Sequence, residues 1–78
     1  MLSKDTKRIV DLLAAKAVRR IQREGLKSHT DAIASSKLGL ERLNINSAVA
    51  TQSLHNRIND DLVSLGILRR EANWLVAA

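Results

Sequence analysis

The sequence predicts a small, mainly α domain closed at its C-terminus by a two-stranded β-hairpin. Three observations point there. Apolar residues recur at helical spacing in three separate stretches, and no proline interrupts any of the 78 residues. After Gly66 that spacing gives way to two short apolar runs, "ILRR" and "WLVA", on either side of "EAN". The apolar 45% is Leu, Ile, Val and Ala with Trp74 as the sole large aromatic, a composition of packed helices rather than of a β-sandwich.

The first helix is expected over about residues 4–24. Ser3 or Asp5 can cap it, and Gly25 sits at the position past its end, where a positive φ suits glycine. Ile9, Val10, Leu13, Ala14, Ala17, Val18 and Ile21 line its apolar face. Arg8, Lys16, Arg19 and Arg23 gather on another side, with Leu12 among them as a candidate contact for a partner subunit.

A second helix follows over about residues 30–38, capped by Ser28 or Thr30. It turns Ile33, Ala34 and Lys37–Leu38 inward and ends at Gly39. "ERLNINS" is then a connector or an extra helical turn. The third helix spans about residues 47–65, with Ser47 or Asn46 as cap. One of its faces carries Ser47, Thr51, Leu54, Ile58, Leu62 and Leu65. The other carries Val49, Gln52, Ser53, Asn56, Asn59 and Asp60, with Arg57 at the flank. Gly66 closes it.

A hairpin over about residues 67–77 completes the domain. Asn73 is expected to take the left-handed geometry of the turn, and Trp74 to anchor the hairpin on the helices, since an isolated hairpin is marginal in water. The chain reads as one domain, residues 1–78, without linkers or internal repeats.

Thirteen Lys/Arg against eight Asp/Glu give a net charge of +5, which suggests a polyanionic partner. Residues 1–30 hold eight of the cations (Lys4, Lys7, Arg8, Lys16, Arg19, Arg20, Arg23, Lys27) against Asp5, Asp11 and Glu24, so the whole excess lies there.

Other classes fit poorly. There is no cysteine, which removes disulfides and thiolate metal sites and makes an intracellular, cytoplasmic setting the expectation. His29 reads as plain surface, and His55 as a surface-packing residue or cap; without helical i, i+4 spacing the two make no metal site. No cofactor is expected. Neither a membrane span nor a signal peptide is evident, "MLSKDTKR" having no apolar stretch. A Ser–His–acid set, a phosphate-cradling glycine loop and an isolated carboxylate pair are all missing, so the chain reads as a non-enzyme.

The order helix, short connector, helix, helix, hairpin resembles the winged helix-turn-helix DNA-binding proteins, as in small bacterial, plasmid and phage regulators. The carriers are "DAIASSKLGL" as first motif helix, "SAVATQSLHNRINDDLVSLGIL" as second, and "LGILRREANWLV" as wing, so the likeness covers about residues 8–77. "INDDLVSLGILRR" resembles the step from recognition helix into the first wing strand. Two departures stand out: Gly39 to Asn46 is long for the tight turn of that motif, and Asp60 and Asp61 leave the third helix net negative.

The resemblance implies a mode of binding in which the N-terminal half of the third helix enters the major groove. Gln52, Ser53 and Asn56 are then expected at base edges, and Val49 at a thymine methyl. Ser47 and the helix N-terminus hold a phosphate. Arg57, Arg69 and Arg70 contact backbone phosphates, or the two wing arginines enter the minor groove. Thr30 and Lys37 are further phosphate candidates.

The function expected is sequence-specific binding of double-stranded DNA by a homodimer, as a transcriptional regulator or a replication or partition accessory factor, with a nucleoid-associated location. The alternatives are a winged-helix module that docks another protein, and nucleic-acid binding through the basic first helix alone.

Overall fold

A computed structural model describes residues 2–78. It contains three helices and a C-terminal antiparallel hairpin: α1 (Lys4–Glu24), α2 (His29–Arg42), α3 (Ala48–Ser64), β1 (Leu68–Glu71) and β2 (Trp74–Ala77). The expected fold class is the one observed. No helix among the described residues is long and apolar enough to cross a membrane.

α1 starts where its capping residues dictate. Ser3 is extended, its hydroxyl accepts the Thr6 N–H at 3.1 Å, and Asp5 in the first turn complements the positive end of the helix. Gly25, at φ +90°, ends it while donating its N–H to the Ile21 carbonyl at 2.7 Å. α1 then packs against both α2 and α3. Val10, Ala14, Ala17, Val18 and Ile21 meet Ala32, Ile33 and Leu40 of α2, Ala50, Leu54, Ile58 and Leu62 of α3, and Leu68 of β1 in one core. Each fully buried Leu or Ile contributes roughly 1.5–3 kcal/mol.

α2 differs from expectation at both ends. A single 3₁₀ turn, Leu26–Ser28, leads straight into it, and the Ser28 hydroxyl donates to the Gly25 carbonyl at 2.9 Å instead of capping. The helix runs through Gly39 to Arg42. A glycine inside a helix costs about 1 kcal/mol relative to alanine, yet here it lets α2 approach α1 closely. A Cβ at position 39 would sit 2.9 Å from Leu13 Cδ2. The inward residues are Ala32, Ile33, Ser36 and Leu40, whereas Ala34 and Leu38 are exposed and Lys37 is half-buried.

The stop comes at Asn44, with φ +60°. Ile45 N–H donates to the Leu40 carbonyl at 3.0 Å and Asn44 N–H to the Glu41 carbonyl at 2.9 Å, the two bonds of a Schellman end. α3 ends in the same way at Gly66, with φ +76°: Ile67 N–H meets the Leu62 carbonyl and Gly66 N–H the Val63 carbonyl. The α2–α3 connector is therefore only Leu43–Ser47: of the two readings of "ERLNINS" the extra helical turn holds, and the helix end expected at Gly39 is corrected. On α3, Ala50 joins the buried face, while Leu65 lies beyond the helix and is exposed.

The hairpin pairs Leu68 with Ala77, Arg70 with Leu75 and Glu71 with Trp74. Its positive φ, +49°, falls on Ala72 and not on Asn73. Trp74 is no anchor: it stays 64% exposed. Side chains alternate along a strand, so Trp74, paired with Glu71, falls out of phase with Leu68. Leu68, 8% exposed, pins the hairpin, with half-buried Ile67 and Leu75 beside it.

Candidate nucleic-acid interface

The N-terminal half of α3 owes its placement to Ser47, whose extended backbone and hydroxyl start the helix by accepting the Ala50 N–H at 3.2 Å. The hydroxyl thus serves its own helix. A phosphate at this end would be left the backbone N–H groups of the first turn, which helix geometry leaves without intrahelical partners. From there Val49, Gln52 and Asn56 follow at i, i+3, i+7 and are all exposed, with Ser53 half-buried beside them. Gln52 Nε2 donates to Asn56 Oδ1 at 2.9 Å. That bond leaves an acceptor on Gln52 and donors on Asn56 pointing off the same face.

The C-terminal half of α3 is bound up in ion pairs. Arg57 Nε meets Asp61 at 3.2 Å, and Arg57 Nη1 reaches Asp11 of α1 at 3.2 Å. Arg70 of β1 pairs with Asp60. Arg69 pairs with Glu71 at 2.9 Å. Residues 43–78 carry no other charged side chain, so every charge there has an opposite partner. The structure brings Arg57 and Arg70 to the α3 acids and leaves Arg69 on the hairpin's other register face.

Thr30 is exposed in the first turn of α2. His29 is half-buried, with Nε2 3.0 Å from Asn59 Oδ1, so it ties the start of α2 to α3 and is not plain surface. Lys37 lies near His55. Burial first, then the positive charge of Lys37, then His29, lower the pKa of His55 from its ordinary 6.5.

Arg8, Lys16, Arg19 and Arg23 are exposed on α1. Lys16, Arg19 and Arg23 line a groove between α1 and α2, together with Arg20 and Arg42; Arg8 does not. Glu24 pairs with Arg20 at 3.2 Å and with Arg23 at 3.4 Å. Sequence reading misses Arg42 because "ERLNINS" reads as a connector or an extra helical turn, which puts that residue on no defined face. It also misses Arg20, since only the packing of α2 turns that side of α1 into a groove wall.

No protein-family model, curated protein or solved structure matches this chain. The site has to be read from its own geometry.

Proposed function

We propose that this protein is a sequence-specific double-stranded DNA-binding protein of the winged helix-turn-helix kind, a transcriptional regulator or a replication or partition accessory factor that works as a homodimer. One observation carries the reading: the exposed row Val49–Gln52–Asn56 on the first turns of α3, behind which both helix acids are occupied by arginines. The acidic pair that argued against groove entry is therefore neutralised by Arg57 and Arg70.

In this reading α3 enters the major groove by its N-terminal half. The Gln52–Asn56 pair offers an acceptor and donors at base edges, the pattern by which side-chain amides select adenine, and Val49 lies against a thymine methyl. Arg57, Arg69 and Arg70 reach backbone phosphates with the guanidinium N–H groups that their carboxylate partners leave free, which fixes register and makes affinity salt-dependent. Two-fold pairing of the chain doubles the base pairs read.

The test is salt-dependent binding to mixed-sequence duplexes by wild type and three variants. Asn56→Ala is expected to lose selectivity between duplexes, and Arg69→Ala/Arg70→Ala to lose affinity on all of them. Arg19→Ala/Arg23→Ala is expected to bind nearly as wild type. Loss confined to the last variant would move the nucleic-acid site to α1. A second reading, a winged-helix module that docks a protein, draws on the complete internal pairing of charge in residues 43–78. Absence of duplex binding at low salt would select it.

A further inference from the structure

We propose that the groove between α1 and α2 is a docking site for an acidic amphipathic segment of a partner protein. The inference does not depend on DNA binding by α3 and uses none of the α3 residues.

α1 and α2 pack against each other at Leu13. The chain reverses within five residues after α1, and Ser36 and Gly39, well along α2, both meet Leu13 in the middle of α1. Arg23 therefore stands near the turn and Arg42 toward the other end. Between them lies a groove of about 470 Å³. Its floor is made of small residues, the buried Ala17, Ala32 and Ser36 with Gly39 and the exposed Ser35, and half-buried Leu13 is its one large apolar side chain. Because Gly39 draws the helices together, a guest lies across the groove and does not wedge between them.

The rim is cationic and in large part unpaired. Among the described residues, Lys16, Arg19 and Arg42 form no ion pair, in contrast to every arginine of α3 and the hairpin. Residues 1–42 hold ten Lys/Arg and five Asp/Glu, so the entire +5 of the chain sits on the segment that builds this groove. Leu12, 65% exposed and one turn before Lys16, extends the apolar surface past the rim.

Charge complementarity calls for an anion, and the apolar surface of Leu12 and Leu13 beside the cations decides which kind. A phosphodiester backbone is polar throughout and would leave the exposed Leu12 and half-buried Leu13 uncovered. A segment with carboxylates on one side and aliphatic side chains on the other satisfies both surfaces. From Leu13 to Arg23 the groove runs about 15 Å along α1, the length of roughly three helical turns.

The test is fluorescence-anisotropy titration of the full chain with labelled peptides of about 14 residues built from Glu and Leu, with Leu at i, i+3, i+4, i+7. A scrambled peptide of the same composition and a labelled mixed-sequence duplex serve as competing probes. Wild type is expected to bind the amphipathic peptide at least tenfold more tightly than the scrambled one. Arg19→Ala/Arg42→Ala should weaken that binding at least tenfold, while Arg69→Ala/Arg70→Ala, with the same change in net charge, leaves it unchanged.

All four arginines are exposed, so both variants should retain the wild-type circular dichroism spectrum and urea midpoint. No peptide binding by wild type, equal binding of both peptides, or equal loss in the two variants would overturn the proposal. So would displacement of the peptide by duplex together with duplex loss in the Arg19/Arg42 variant, which would make the groove a nucleic-acid site. Duplex binding lost only in the Arg69/Arg70 variant, with peptide binding intact, tests α3 and the hairpin separately.

Discussion

Arg70 on the first hairpin strand is ion-paired to Asp60 on α3, which fastens the hairpin's basic edge to the helix it flanks. Both side chains remain more than half exposed, so solvent screens the pair and its contribution to stability is small, within about 0.5 kcal/mol. Its functional consequence is larger. Asp60 holds an arginine that a phosphate would otherwise take, and it places a negative charge where the duplex would lie. Asp60→Asn should therefore leave the urea midpoint unchanged and strengthen duplex binding severalfold at low salt, steepening the dependence of log K on log salt by about one contact. An unchanged slope would mean that Arg70 does not meet the phosphate backbone.

The exposed Trp74 and the buried Leu68 exchange the roles that side-chain size alone assigns them. Trp74→Ala is expected to cost less than about 1 kcal/mol, and Leu68→Ala about 2–4 kcal/mol because it opens a cavity under the hairpin. Parallel urea titrations check this. Trp74 is the only Trp and the chain has no Tyr, so its emission reports the hairpin alone and should resemble that of tryptophan in water. A blue-shifted, quencher-protected emission would contradict the exposed placement.

The core of α1 and α3 was legible because its residues recur at helical spacing and Ser3, Ser47, Gly25 and Gly66 mark ends that the structure uses. α2 was legible only in part. Glycine, the usual breaker, points to a stop at Gly39, yet the chain writes its actual stop twice: "LERLNI" over residues 40–45 and "LVSLGI" over 62–67. In both, the fifth residue takes a positive φ and the sixth donates back to the first. Asn follows glycine as a residue that takes this position at helix ends, so the likeness of the two hexamers marks the end of α2. What no local pattern could give is the pairing of Arg57 with Asp11, or the placing of Arg42 across a groove from the α1 cations. Those depend on how helices distant in sequence pack.

Asn44 is therefore the residue that sets the α2–α3 connection. Asn44→Gly should be neutral or slightly stabilising. Asn44→Val, a branched residue at φ +60°, should cost about 1–2 kcal/mol, visible as a lower urea midpoint. Since the connector positions α3 against α2, the valine variant should also weaken any duplex binding at temperatures where it remains folded. Equal midpoints for the two variants would show that the left-handed turn is not needed.

His55 gives the fold a pH dependence whose sign follows from its surroundings. Burial, Lys37 and His29 all disfavour its charged form, so its folded pKa lies below the unfolded value of 6.5. The unfolded chain then binds more protons between the two values, and stability falls as pH falls through that window. Above pH 6.5 the contribution is fully present; below the folded pKa it is lost. Urea midpoints measured at about pH 7.5 and about pH 5 should differ for wild type, and the difference should shrink in His55→Gln, which has no imidazole to charge. Carboxylate titration acts on both proteins alike, so the comparison isolates the histidine. If the two proteins lose stability equally on acidification, then burial, Lys37 and His29 together do not oppose the charging of His55.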